Sequence, residues 1–346
     1  MPPPGLQNLG NTCFMNSCIQ ILYQIYELSD LLNQRSRWTK SHDTPDARLV
    51  NGWLEIRQIM QENSCNDEKR VVAPHKFLQL VFMTARAKKR ELFAMGNQND
   101  ITEFMMFIIE CIHNVIARPI EINVNGTPET EMDTLAIQCY KMFQETHAKD
   151  YSEITTMFNG IYMSEIWSQD GSTKHTSKSE MYCQLDLPIP APKPNEDITL
   201  YDCLDEYTRG EYLEGDNAWL NEKTGQKENI WKRIRFWNMP SILVITLQRF
   251  NGENKKTDVV KFSMELDLAK YVCGYNPDKY KYSLIGVCSH VGNLHGGHYV
   301  AFSHDHADKN WYFCDDLQVH CIPPEEINNA IVNPHAYCLV YRCNSA

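Results

Sequence analysis

The amino-acid sequence predicts an α+β protein with its helices ahead of its strands, and three observations predict it. Apolar residues recur at helical spacing through most of the first 150 residues. From about Ile154 the period becomes two, with Met181, Cys183, Leu185 and Leu187 alternating as a strand does. Helix and strand patterns do not interleave as they would in a doubly wound parallel sheet.

The helical half opens at Asn11 or Thr12, after which Cys18, Ile21, Leu22, Ile25 and Leu28 share one face. Asn51 to Glu62, Pro74 to Arg90, Asp100 to Ile116 and Met132 to Lys149 carry further amphipathic patterns. The proline-rich run Pro188 to Pro194 reads as a stiff extended connector, and a short helix over Leu200 to Tyr207 follows it. Ser241 to Phe250 is rich in strand formers. The last hundred residues read as strands with one helix near Glu325 to Ala330. There is no internal repeat and no long low-complexity segment.

Length and composition bound the function. A chain of 346 residues with 43% hydrophobic and 11% aromatic residues buries a large core. Its formal net charge of -11 argues against a nucleic-acid partner; it suits a basic partner, or solubility alone. The longest apolar stretches, Met105 to Ile109 and Ile242 to Leu247, are too short to cross a bilayer. The start, Met1-Pro2-Pro3-Pro4-Gly5, has neither the charged nor the apolar region of a secretory leader. The 13 scattered cysteines are therefore expected to be reduced, in the cytoplasm, the nucleus or both, with the Asn125-Gly126-Thr127 sequon unmodified. The basic run Arg86 to Arg90 reads as a solvated helix face.

The most informative segment runs from Gly5 to Ser17. Gly10-Asn11-Thr12 is turn and N-cap chemistry, which sets Cys13 in the first turn of the helix that follows. There the helix dipole and free N–H groups favour a thiolate, and a basic partner lowers the thiol further. Asn8, on the loop before it, is positioned to aim its amide at a developing oxyanion. The bland alternative is a small buried hydrophobe at a helix start.

A thiolate nucleophile needs an imidazole and a group that fixes its tautomer. His298 opens a strand directly after Gly296 and Gly297, where a backbone can approach closely. His295 is the weaker base candidate on the same loop. Trp311-Tyr312-Phe313-Cys314-Asp315-Asp316 follows, and a turn between Phe302 and Asp308 would bring Asp315 beside the imidazole. Taken singly, each has a structural explanation: a strand-end histidine and an acidic turn.

Taken together these residues resemble the ubiquitin-specific proteases. The Cys box matches at Gly5 to Ser17 and the His box from His290 to Asp316. Between and after them come Gln98-Asn99-Asp100-Ile101-Thr102-Glu103-Phe104, Leu185-Asp186-Leu187-Pro188-Ile189, Pro240 to Phe250 ending in Leu247-Gln248-Arg249-Phe250, and Ala336 to Arg342. The resemblance implies a papain-like α+β fold in a single catalytic domain over 1–346: a helical thumb near 1–153, mainly fingers near 154–248 and a β-rich palm near 249–346. It implies a thiol-dependent deubiquitinase that hydrolyses the (iso)peptide bond after ubiquitin's terminal glycine. Cys13 would be nucleophile, His298 general base, Asp315 its orienting carboxylate, Asn8 the oxyanion residue and Asp316 an acidic support. Asp100 and Glu103 look like contacts for the arginine-rich ubiquitin tail, although the pair also fits a helix capping box. Gly296, Gly297 and Tyr299 fall among the substrate-binding positions, the glycines leaving room for a slim Gly-Gly tail.

The departures are as informative. No Cys-x-x-Cys occurs near Ile166 to Asp170, near Asn221 to Thr224 or anywhere else, so the fingers are expected to be zinc-free. Cys314 stands where the family more often has an aromatic residue. The Asn251 to Lys261 segment is brief, so a loop over the tail would be small and any gating weak. The reading carries no cofactor and no membrane or nucleic-acid partner, and it expects a monomer acting on ubiquitinated proteins. A protease for a ubiquitin-like modifier and a non-catalytic ubiquitin-binding scaffold are the rivals. The short N-terminal extension suits a minimal catalytic domain or a trimmed piece of a longer protein.

Overall fold

The computed structural model describes residues 2–34, 38, 43–64, 71–94, 96–252, 254–293 and 296–345. The candidate base His295 lies outside them. Among the described residues the helices are α1 (Cys13–Tyr23), α2 (Tyr26–Asn33), α3 (Pro45–Ser64), α4 (His75–Ala87), α5 (Ile101–Ile116), α6 (Glu131–His147), α7 (Glu153–Phe158), α8 (Leu200–Thr208) and α9 (Ile327–Ile331).

The single helix expected from Asn11 onward is two, because Ile25 leaves the helical region with ψ 85°. The third begins at Pro45, six residues ahead of its amphipathic pattern, with proline in the first turn where its missing N–H is harmless. Helix α6 starts on a reciprocal capping box between Thr130 and Asp133. The alternation from Met181 to Leu187 is not one strand. It is the end of Lys174–Tyr182 and the start of Leu185–Pro188, which belong to different sheets.

The large sheet has eight strands. Along it run Gln318–Ile322, Trp311–Asp315, Gly296–His304, Lys281–Asn293, Ala336–Cys343, Ile242–Gln248 and Leu185–Pro188, with Glu265–Asp267 pairing beside Lys281–Asn293. All pairings are antiparallel except the last, where Leu185–Pro188 lies parallel to Ile242–Gln248. The period-two alternation serves both faces. Ile242 and Val244 face the helices α1, α3, α4 and α5, while Leu243, Ile245 and Leu247 face α8 and its surroundings.

Helix α1 is the centre of the fold. Every residue from Cys13 to Leu22 is buried, Asn16, Ser17 and Gln20 included. Its apolar side chains contribute about 1.5–3 kcal/mol each. Gly286 permits the contact with the sheet, since a Cβ there would stand 2.4 Å from Ile21 Cδ1. Gln20 donates to the Pro4 carbonyl at 2.8 Å, which ties this helix to the incoming chain.

A second, four-stranded sheet joins Lys174–Tyr182, Gly160–Ser168, Ile230–Asn238 and Glu211–Leu213, all antiparallel. Helix α6 packs Leu135, Ala136 and Cys139 on its root against Ile161, Met163 and Trp237. At its far end Asp170 holds a tight turn by accepting from Ser172, and Asn221 starts a hairpin between Trp219–Asn221 and Gln226–Glu228. Among the described residues no helix is long and apolar enough to cross a membrane.

Candidate active site

The loop ahead of α1 is built on two left-handed residues, Gly10 at φ 96° and Asn11 at φ 56°. Asn8 fixes it from inside. Its Oδ1 accepts from the N–H groups of Gly10 and Thr12 and from the Thr12 hydroxyl, at 3.0, 3.2 and 3.2 Å. Thr12 Oγ1 also accepts the Leu9 N–H at 2.9 Å, so it caps nothing in the helix. The first N–H groups of α1 are thereby left to the Cys13 sulfur.

Cys13 is 2% exposed. Burial pushes its thiol up, and the Asp316 carboxylate adds to this; hydrogen bonds from the backbone N–H groups of Tyr299, Phe14 and Cys13 itself pull the other way. The lowered thiol expected from the sequence is therefore not what the ligand-free chain holds. Desolvation outweighs the helix terminus here.

His298 stands one residue before Tyr299, whose N–H reaches the sulfur, on the Gly296–His304 strand. Its Nε2 lies 2.6 Å from Asp315 Oδ1, at the end of the neighbouring strand. Asp316, in the turn at φ 49°, has a different set of partners. Its Oδ1 accepts from Asn16 Nδ2 at 2.7 Å, its Oδ2 from Asn8 Nδ2 at 2.9 Å, and its carbonyl from the Leu6 N–H at 2.7 Å. Thus Asp315 meets the histidine, while Asp316 ties the turn to the loop and helix that carry Cys13. Asn8 spends one amide hydrogen on that tie and keeps the other. His298, Asp315 and Asp316 are also the one group among the described residues with ligand atoms close enough to share a metal ion, all within 4.8 Å. Their carboxylates are already engaged as described. Cys314, the family departure, is buried in the helix-side core with its sulfur 3.8 Å from Ser303 Oγ.

Beside this lies a cleft of about 420 Å³ between α5 and the large sheet. Asp100 caps α5, accepting from the N–H groups of Thr102 and Glu103 at 2.8 and 3.1 Å. Its other oxygen accepts from the hydroxyls of Tyr337 and Tyr299, at 2.6 and 3.4 Å. Glu103 is exposed on the cleft wall and does not complete a capping box, and burial followed by Asp100 raises its carboxyl. Tyr299 is buried, so its ring builds the wall rather than standing free.

Gly297 needs its smallness for a different reason from the one expected. A Cβ there would stand 2.3 Å from His290 Nε2 and 2.5 Å from the Val291 carbonyl, inside the adjoining strand. The glycine serves strand packing, and a bulkier residue would cost fold and turnover together. At Gly296 a Cβ would meet Gln98 Oε1 at 3.2 Å, on the cleft side.

Three residues to which sequence reasoning assigned no role of their own, Lys255, His290 and Gln98, also shape the cleft. Lys255, on a hairpin of Phe250–Asn251 with Asn254–Lys255, donates to the Gly292 carbonyl at 3.2 Å and stands 3.3 Å from His290 Nδ1. Burial, then Lys255, pushes His290 down to about 4, so that ring is neutral and no base. Gln98 bridges the cleft to Gly297, with bonds of 2.8 and 2.9 Å. The Lys255 ammonium fastens the segment after Phe250 to the strand Lys281–Asn293.

Comparison with known proteins gives the following. A family model described as ubiquitin carboxyl-terminal hydrolase matches residues 4–341. The chain is 28% identical over 370 residues to ubiquitin carboxyl-terminal hydrolase 4 of Saccharomyces cerevisiae, covering 97% of this chain and 39% of that protein. It is 29% identical over 352 residues to ubiquitin carboxyl-terminal hydrolase 2 of Homo sapiens, covering 99% of this chain and 55% of that one. The chain thus spans roughly two fifths to just over half of the length of these relatives. A chain of the solved SAGA DUB module of Ubp8, Sgf11, Sus1 and Sgf73 bound to monoubiquitin shares the fold. The TM-score is 0.70 at 24% identity, over 99% of this chain and 69% of that one.

Proposed function

This chain belongs to the ubiquitin carboxyl-terminal hydrolase family, and on that premise we propose that it is a thiol-dependent deubiquitinase acting through Cys13, His298 and Asp315. The observation that carries the reading is the continuity of the site. The Cys13 sulfur meets the Tyr299 N–H, and the preceding residue, His298, is held through Nε2 by Asp315 at 2.6 Å.

The resting thiol is protonated, because burial favours the neutral form. When ubiquitin's tail enters, His298 Nδ1 takes the thiol proton, and Asp315 stabilises the resulting imidazolium. The Cys13 sulfur attacks the carbonyl of the terminal glycine. The oxyanion is met by backbone N–H groups at the start of α1, which turn from the sulfur as it is acylated, and by the second amide hydrogen of Asn8. Collapse breaks the C–N bond, His298 gives its proton to the departing lysine amine, and a thioester remains. Water, deprotonated by His298, then hydrolyses that thioester and restores the thiol. Asp316 acts at one remove by holding Asn8 and Asn16.

Asp100 and Glu103 form the acidic side of the cleft that the basic tail would enter. Asp100 is already satisfied by its own helix and two tyrosines, which makes Glu103 the freer carboxylate. A monomer in a reducing compartment, cytoplasm or nucleus, belongs to the same reading; the described cysteines are all free thiols.

The test is incubation with ubiquitin bearing a C-terminal electrophile, read by intact mass. A one-to-one adduct on wild type and none on Cys13→Ala is expected. A folded wild type that forms no adduct, but labels with a ubiquitin-like modifier, would overturn the substrate; labelling with neither would overturn the enzyme.

A further inference from the structure

Gln98 makes both of its cleft bonds to one residue. Its Nε2 donates to the Gly297 carbonyl at 2.8 Å, and its Oε1 accepts the Gly297 N–H at 2.9 Å. A carboxamide offers the same donor and acceptor as a peptide unit, so this is the pairing that a neighbouring strand would give.

Among the described residues, the strand edge it covers has no strand partner for a defined stretch. Gly296–His304 has Lys281–Asn293 along one side, but on the other side Trp311–Asp315 pairs only from Ala301 onward. Backbone groups along a strand alternate edges, so the N–H groups of Gly297 and Tyr299 share this free edge. The Tyr299 N–H meets the Cys13 sulfur. An extended chain bringing a carbonyl to that sulfur therefore runs along this edge, and Gly297 is the residue it would pair with.

We propose that Gln98 is a latch that imitates a peptide unit: in the free protein it occupies the Gly297 pairing site, and the main chain of the incoming extended tail displaces it. The proposal rests on the deubiquitinase reading for the identity of that tail. The loop itself is steadied elsewhere, since Asn11 Nδ2 donates to the Gly96 carbonyl at 3.1 Å and Asn99 Nδ2 to the Asn97 carbonyl at 2.9 Å. The exposed Gln98 side chain can therefore turn outward while its backbone stays. The latch discriminates by shape: it yields to a ligand with a free N–H and C=O two residues from the scissile carbonyl, and not to a small electrophile.

The experiment compares wild type, Gln98→Ala and Gln98→Glu, the last placing a carboxylate against the Gly297 carbonyl. In the free protein, amide exchange at Gly297 measured by NMR should be slow in wild type and at least about tenfold faster in Gln98→Ala, which removes the acceptor of that N–H. With ubiquitin carrying a fluorogenic C-terminal amide, both variants should lower KM about three- to tenfold, with kcat within about twofold. Alkylation of Cys13 by iodoacetamide should be the same in all three. An unprotected Gly297 amide in wild type, or a KM that stays level or rises in Gln98→Ala, overturns the latch. A wild type inert to every ubiquitin substrate overturns the deubiquitinase reading instead, and the exchange measurement then still decides whether the latch exists.

Discussion

In the cleft, segments far apart in the chain meet through single side chains. Asn8 and Asn16 reach Asp316, Tyr337 reaches Asp100, and Arg249 reaches Ala336. In the four-stranded sheet the order is reversed: a long ladder aligns Gly160–Ser168 with Ile230–Asn238 and Lys174–Tyr182, and side chains only decorate it. A ladder is redundant, because each bond is backed by its neighbours. A cross-cleft tie has no substitute, and cutting it leaves a polar group unpaired as well as a segment loose. Substitutions in the cleft should therefore reach turnover, whereas those in the second sheet should stop at stability.

The largest effect expected on this basis separates two adjacent acids. Asp315→Ala should lower kcat by about 10²- to 10⁴-fold with little change in stability, since it removes the partner of His298 Nε2. Asp316→Ala should cost less turnover and more stability, since it frees Asn8, Asn16 and the turn. Steady-state kinetics paired with urea titration would show this; indistinguishable profiles would erase the division of labour between the two.

Next comes Arg249, fully buried and inside the Leu247 to Phe250 motif. Burial pushes its guanidinium down to about 10, so it stays charged at neutral pH. It donates to the carbonyls of Ala336, Lys256 and Asp258 at 2.6, 3.2 and 3.0 Å, fastening the Lys255 hairpin to the sheet. Arg249→Met should orphan these acceptors and cost about 3–5 kcal/mol. A urea midpoint unmoved from wild type would mean the hairpin is held by something else.

The second sheet supplies the matched contrast. Glu165 is 1% exposed and accepts from Arg235 and, at 3.1 Å, from Trp167 Nε1, with Lys174 3.7 Å away. Glu165→Gln weakens a buried charged node and should cost about 1–3 kcal/mol. Labelling by the ubiquitin electrophile should keep its wild-type rate at saturating probe. A large loss of labelling rate in a folded variant would break the comparison, because it would make this sheet part of the chemistry.

The sequence made the same distinction visible only in part. Helical and strand periodicity located both halves of the chain, and the Cys and His boxes picked out the residues that the structure brings together. What stayed hidden depends on burial that no local pattern encodes. The raised Cys13 thiol reflects desolvation at a helix start that otherwise favours a thiolate. Gly297 looked like a tail filter, yet its neighbours across the strand pair decide its size. Gln98 stood in a matched motif and Lys255 in a polar loop, but neither showed its partner, because those partners are backbone atoms, which are the same at every position.

The smallest expected effect is a pH dependence confined to the cleft. His290 is buried against Tyr299, with ring centroids 4.6 Å apart, and Lys255 faces its Nδ1. Burial and then Lys255 and the nearby His335 and His298 hold it down to about 4, with Asp100 opposing them. The folded state thus refuses a proton that the unfolded state accepts near the ordinary histidine value of about 6.5. Stability from this group is complete above about pH 6.5 and declines as pH falls toward 4. His290→Gln keeps an acceptor for Lys255 and removes the titration. Its unfolding free energy should fall less than the wild type's between pH 7 and pH 4.5, by about 1–2 kcal/mol. Parallel slopes would mean that the imidazole takes up its proton without opening the cleft, and that the Lys255 tie yields before the strand does.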